Sequence, residues 1–288
     1  MNNKALCSMC VLLAALSVRA SGQNVISKPP ADGAVAKLIA QLGADDFRTR
    51  EQASKELVKL GSKILPALQK AARGNLNLEV RRRIQQVAVR IEDILLEAED
   101  KPWKGLDGPR RGIKERLVRI LRKSSSLSDA QVTSAIYLLT VGRSATAEEA
   151  RRDEKSFAES HTRLVPVLRI ARSLIQSKEF KADIATANGR ILDAQKDLAG
   201  ETLAKQLHRL NGAEYQKLTD EVAAALNKSV KNDRQVIDLA YLLALSRFPQ
   251  EEQADIAAKH ITKTKERVRG IADLVWAMTN TREFMQLP

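Results

Sequence analysis

An internal repeat constrains this chain more than any other feature. Residues 128–180 return at 232–284, 104 positions later and without a gap, with 13 identities in 53 aligned pairs. Tyr137-Leu138-Leu139 and Arg143 recur as Tyr241-Leu242-Leu243 and Arg247, and Glu179-Phe180 recurs as Glu283-Phe284. The helix-start signal also returns, Ser128-Asp129-Ala130-Gln131 becoming Asn232-Asp233-Arg234-Gln235. A fixed period marks architectures assembled from repeated units, which build extended surfaces. Ser128-x-x-Gln131 is a capping box, and Thr146-x-x-Glu149 is another. The first stretch therefore reads as three helical pieces: one through Leu139, one from Glu148, and one from about Leu164 to Ser177. Residues 181–231 are also helical by pattern, with apolar positions at Leu192, Leu198, Leu203, Leu207, Leu210, Leu218, Val222, Ala225 and Leu226.

Composition points the same way. Aromatic residues are 3% of the chain, low for a sheet protein, and the dominant residues are strong helix formers. The expected fold class is all-α. A chain of 288 residues is long enough for one elongated or two compact domains.

The first twenty residues read as a secretory signal peptide. Lys4 gives a positive start, Val11-Leu12-Leu13-Ala14-Ala15-Leu16 a short apolar core, and Val18-Arg19-Ala20 small residues for cleavage. The apolar run is shorter than the roughly 20 residues that span a bilayer. Both cysteines, Cys7 and Cys10, fall in this leader, so the exported chain is expected to be soluble, without disulfides, in the periplasm, cell envelope or extracellular space. Net charge is +13, and +11 without the leader, which holds Lys4 and Arg19 and no acid. That balance favours anionic partners.

Residues 21–30 read as a polar linker closed by Pro29-Pro30. Four short helices are expected over 31–99. The first is capped by Asp32, with Val35, Leu38, Ile39 and Leu42 inward, and stopped by Gly43. The second starts at Asp45-Asp46, with Phe47, Ala53, Leu57 and Leu60 inward, and ends at Gly61. The third uses Ile64, Leu65, Leu68 and Ala71, with Pro66 in its first turn. The fourth is capped by Asn77 and carries Val80, Ile84, Val87, Ile91 and Leu95 at the helical period.

Asp45-Asp46-Phe47, Arg50-Glu51, Leu60-Gly61, Leu65-Pro66-Ala67-Leu68 and Leu78-Glu79-Val80-Arg81-Arg82-Arg83 together resemble the HEAT-like repeat of planctomycete secreted and multidomain proteins, over about residues 38–92. The resemblance implies a helical-repeat unit. Further along, 241–249 (YLLALSRFP) and 273–284 (DLVWAMTNTREF) are similar to the C-terminal end of the uncharacterised planctomycete secreted domain family. That likeness covers about 50 residues, and the much larger body of the family is absent, so no activity follows from it.

Residues 100–112, with two prolines and three glycines, read as the main linker. A helical domain over 113–288 follows, opening on a short basic helix at 113–123 and a second break at Ser124-Ser125-Ser126. Trp103, inside the linker, is expected to pack. Trp276 is expected in the core with Ile271, Leu274, Val275 and Met278. Tyr137 and Tyr241 are expected to be equivalent packing residues. Arg143 and Arg247 end their helices, where a cation suits the dipole, and each is expected to bind the Glu179 or Glu283 carboxylate of its own unit.

No motif names a reaction. His161, His208 and His260 stand far apart in sequence without a ligand companion, so neither a metal nor another cofactor is expected. No P-loop, dinucleotide fingerprint or nucleophile elbow occurs. Asp45-Asp46, Glu148-Glu149 and Glu251-Glu252 sit at helix starts, which accounts for them, and no residue is expected to be catalytic. The basic segments are the candidates for contact. Residues 62–90 hold seven Lys/Arg against Glu79, and 101–123 hold nine against Asp107 and Glu115. Arg83 and Arg90 share a helix face, and Arg116, Arg119 and Lys123 align. The expectation is a monomeric scaffold or adaptor that is not an enzyme and binds a protein partner through Arg50, Lys55, Lys59, Arg81, Arg82, Arg83 and Arg90. The alternative is a basic face for an anionic polymer, an acidic polysaccharide or nucleic acid, whose binding would fall steeply with salt.

Overall fold

A computed structural model describes residues 32–74, 77–123, 127–160 and 162–286. The leader, both cysteines, the 21–30 linker, the Ser124–Ser126 break and His161 lie outside them. The fold is all-α, with no strand among the described residues.

The four expected N-terminal helices are α1 (Asp32–Gln41), α2 (Phe47–Leu60), α3 (Leu65–Arg73) and α4 (Leu78–Asp100), with a 3-10 turn at Gly61–Ile64 before α3. Asp46 caps α2 by accepting from the Thr49 amide at 2.8 Å, and Asn77 caps α4 by accepting from the Glu79 amide at 2.7 Å. Pro66 sits in the first turn of α3, where it costs no hydrogen bond. Val35, Leu42, Ala53, Leu57, Ile64, Leu65, Leu68, Ile84, Val87 and Ile91 close one core. Phe47 does not join it. It opens α2 off the Ala53–Leu57 stripe, remains 62% exposed, and lies under the Arg50 guanidinium, 5.8 Å from the ring centre.

Helix α4 has 23 residues and is therefore roughly 34 Å long. Its front half seals the first core, and Leu96 near its end packs on a second one. Residues 100–112, expected as a linker, are folded. Lys101–Trp103 is a 3-10 turn directly after α4, and Trp103 is 1% exposed within the second core. Asp107 then accepts from the Arg110 amide at 2.9 Å and caps α5 (Gly108–Lys123). Pro102 and Pro109 fall in the first turns of helical segments, where a missing N–H is harmless, so they start structure instead of interrupting it.

The second core is built by α5 and by α6 (Asp129–Val141), α7 (Ala147–Ala158), α8 (Leu164–Ile175), α9 (Ala182–Leu198), α10 (Leu203–Leu210), α11 (Ala213–Ser229), α12 (Asp233–Leu245), α13 (Glu251–Lys263), α14 (Arg267–Thr279) and α15 (Arg282–Met285). Helices α6, α7 and α8 correspond to α12, α13 and α14 at the same interval, their ends agreeing within one residue. Both expected capping boxes form, at Ser128 and Thr146, and a third forms at Gln250 with Gln253, at the position matching Thr146. Helices α6 and α12 are buried nearly all round and pack on each other, which explains why the Tyr-Leu-Leu run is the best-kept part of the repeat. Trp276 departs from expectation: it is 39% exposed. It follows Val275 by one residue and is turned about 100° further round α14, away from the buried side.

Candidate functional site

Two arrangements stand out: a pair of arginine hubs, one per repeated stretch, and a groove along α5.

In the upstream hub, Arg143 follows Gly142, which ends α6 in the left-handed conformation at φ 71°. Its guanidinium donates to both oxygens of Glu149 at 2.8 and 2.9 Å, to Glu179 Oε2 at 2.7 and 3.0 Å and to the Ser144 carbonyl at 3.0 Å. It also stacks 5.5 Å from the Tyr137 ring centre. In the downstream hub, Arg247 donates to Glu283 at 3.0–3.2 Å, to Gln253 Oε1 at 3.1 Å and to the Phe248 carbonyl at 3.0 Å, and stacks 5.3 Å from the Tyr241 ring centre. The two arginine–glutamate pairs expected from sequence are therefore present, each on the tyrosine of its own unit. Hydrogen bonds from Arg143 hold the Glu149 carboxyl down at about 2. Burial alone would raise Glu283, but hydrogen bonds from Arg247 and Lys123 leave it below the usual carboxylate range. A third paired feature had no flag in the sequence reading. Arg163 binds Asp129 at 2.8 Å and Arg267 binds Asp233 at 2.7 Å, so a helix-start acid is tied to the same cation in both units.

Helix α5 supplies the second arrangement. Ile113, Leu117 and Ile120 face the core, and Arg116 lies on the same stripe. Expected as part of a basic face, Arg116 is instead completely buried. It donates to Asn188 Oδ1 at 2.9 Å and Ser246 Oγ at 2.9 Å, with Gln195 Oε1 at 3.5 Å. All three acceptors are neutral. Burial, with Arg119 alongside, pushes the guanidinium down to about 9. Ser246 occupies the position matching Gly142 and is also left-handed, at φ 54°, the one non-glycine residue with positive φ among those described.

The other side of α5 lines a groove of about 950 Å³, closed by the end of α4, the Trp103 turn and α15. Its apolar surface comes from Leu96 and Val118, with the buried Trp103 in the wall behind them, and its cations are Arg111, Lys114, Arg119, Arg122 and Lys123. The acids among the lining residues are each engaged: Asp100 by Lys114, Glu115 by Arg119, and Glu283 by Lys123. The basic run is visible in the sequence, and the groove is not. The signal was the spacing of Arg111, Lys114, Val118 and Arg122, which share one face of α5, opposite a stripe into which an arginine intrudes.

The expected contact residues on α2 and α4 divide. Lys55, Lys59, Arg82 and Arg90 are exposed and make no ion pair among the described residues. Arg50 is not available in the same way: it is half-buried and donates to the Ala44 and Asp45 carbonyls at 2.7 and 2.6 Å, closing the α1–α2 turn. Arg83 is held by Glu79 at 2.9 Å, and Arg81 is half-buried. The expected carboxylate pairs are taken up at helix starts, Asp46 capping α2 and Glu149 accepting from the Thr146 amide at 2.7 Å. Among the described residues no His/Cys/Asp/Glu group is placed to hold a metal, and no helix is long and apolar enough to cross a membrane. Compared with protein-family models, curated proteins and solved structures, the chain matches none.

Proposed function

We propose that this chain is a non-catalytic scaffold or adaptor, exported to the periplasm, cell envelope or extracellular space, and that its first helices form a HEAT-like unit binding a protein partner. The observation that carries the reading is the set of unpaired, exposed cations Lys55, Lys59, Arg82 and Arg90 on α2 and α4. Long cationic side chains that make no ion pair among the described residues are free to meet carboxylates on another molecule, and stacked helices present the broad surfaces that hold proteins. The leader-like first twenty residues and the absence of any reaction motif support export and a binding role. A second reading, an anionic polymer on the same face, is favoured by the net charge of +13.

The test is capture from envelope extract of the source cells with the chain from Ser21 onward, beside a variant carrying Lys55→Glu, Lys59→Glu, Arg82→Glu and Arg90→Glu. The scaffold reading expects one protein, retained stoichiometrically through a high-salt wash and lost with the variant. Polysaccharide or nucleic acid released by salt would establish the second reading. Identical capture by both chains would remove this face from either.

A further inference from the structure

The α5 groove is separate from the cations assigned above, and its chemistry is different. Its volume of about 950 Å³ lies within the range of small-molecule sites, which are concave, largely apolar and fitted with a few charged groups. Arg111 and Arg122 are eleven residues apart on one side of α5, a separation of roughly 16 Å along the helix. Leu96 and Val118 offer an apolar surface in the lining, with Trp103 buried behind it.

The charge of the groove is one-sided once its internal pairs are removed. Asp100, Glu115 and Glu283 are each satisfied by a lysine or arginine of the same lining. Arg111 makes no ion pair among the described residues, and the partner of Arg122, Asp93, is not part of the lining. Behind the inner wall, Ser246 holds the buried Arg116, whose hydrogen-bond acceptors are all neutral. That charge lies under the groove wall and adds to the positive potential of the lining. It rejects cationic ligands and draws anionic ones.

We propose that this groove binds an elongated apolar anion, a carboxylate on a hydrocarbon or aromatic body. The body lies on Leu96 and Val118, over the buried Trp103, and the charged head is held by the cations of α5. The site goes beyond the scaffold reading and uses none of its residues.

Trp103, in the wall of the groove, reports on whether the groove is occupied. The chain has two tryptophans, so Trp276→Phe in the full-length protein leaves Trp103 as the single emitter. Dodecanoate, kept below its micellar range, is titrated against this protein by fluorescence and calorimetry. Dodecyltrimethylammonium, with the same tail and the opposite head, is titrated beside it. The expected result is saturable one-to-one binding of dodecanoate with a shift in Trp103 emission, and binding of the ammonium weaker by at least tenfold. Arg111→Glu with Arg122→Glu is expected to weaken dodecanoate by at least tenfold while the helical circular dichroism and thermal midpoint stay near those of the parent. Val118→Asp, which alters the apolar surface and leaves the cations in place, is expected to abolish the Trp103 response. Equal binding of the two amphiphiles, no saturable binding, or indifference to the charge reversal in a folded variant would each overturn the proposal. None of these outcomes bears on protein capture through α2 and α4.

Discussion

The two arginine hubs are built to one plan and differ at one acceptor. Upstream, Arg143 holds two carboxylates, Glu149 and Glu179. Downstream, Gln253 stands where Glu149 would be, and Arg247 holds Glu283 alone. The downstream hub instead gains a second cation, because Glu283 also receives Lys123 from the end of α5. The upstream hub thus draws all its charged members from its own stretch and has an excess of acid, whereas the downstream one shares its carboxylate with a preceding helix and has an excess of base. The same contrast appears at the helix ends. Gly142 only turns the chain. Ser246 turns it and also accepts from Arg116 of α5. At these two points the upstream unit closes on itself, and its counterpart is bolted to α5.

The largest effect should come from reversing the central cation. Arg143→Glu sets a third carboxylate against Glu149 and Glu179, and Arg247→Glu meets one carboxylate and an amide. The expected losses are about 3 kcal/mol for Arg143→Glu and somewhat less for Arg247→Glu, read from denaturant midpoints. Adding Glu283→Arg to Arg247→Glu should recover part of the loss, and only part, since the new arginine faces Lys123. Full recovery would show that Lys123 is not a working member of the hub.

A smaller effect is expected at the helix ends. A Cβ on Gly142 would come within 2.9 Å of Ile184 Cδ1 and 3.2 Å of the Ser229 carbonyl, at positive φ. Gly142→Ser, which copies the downstream residue, should therefore cost about 2 kcal/mol. Ser246→Ala should cost a similar or slightly smaller amount, about 1.5–2 kcal/mol, by taking an acceptor from a buried guanidinium. If Gly142→Ser is neutral in thermal unfolding, the two ends are interchangeable and the contrast fails.

The smallest expected effect is in acid. Glu149 is held at about 2 against an ordinary 4.5. A carboxylate depressed in the folded state contributes stability that is present above its unfolded value and lost as pH falls through the folded one. Stability should therefore decline between about pH 4.5 and pH 2. Glu149→Gln, which gives the upstream hub the downstream acceptor, should flatten that decline and cost about 1 kcal/mol at neutral pH, after discount for solvent exposure. A pH profile unchanged by this substitution would place the acid sensitivity elsewhere, for example at Glu283.

Much of this was legible in the sequence. The helical period, the capping boxes and the 104-residue interval are local signals, and the structure carries them directly in α4, in the caps of α6 and α7, and in the matching order of α6–α8 and α12–α14. The arginine–glutamate pairs could be read because both partners recur together. The rest depends on placement in space. Arg116 falls on the apolar stripe of Ile113, Leu117 and Ile120, but nothing local says what would receive a buried guanidinium there. Its burial depends on Asn188, Gln195 and Ser246, which come from α9 and the end of α12, 72 to 130 positions away. Residues 100–112 misled because proline and glycine mark helix starts as well as breaks, and the capping bond of Asp107 decides between them. Phe47 and Trp276 show that a large apolar residue beside a buried stripe need not belong to it.

The double duty of Ser246 limits how this position can change over evolution. Its backbone conformation favours glycine or a small polar residue such as asparagine, and its hydroxyl must remain as an acceptor for Arg116. Glycine meets the first demand and leaves a buried donor unmet. Threonine meets the second and brings a branched Cβ to a left-handed turn. The viable substitutions at this site are therefore few unless Arg116 changes with it, so the two positions, 130 residues apart, are expected to drift as a couple, while Gly142 is held by the backbone and its packing alone.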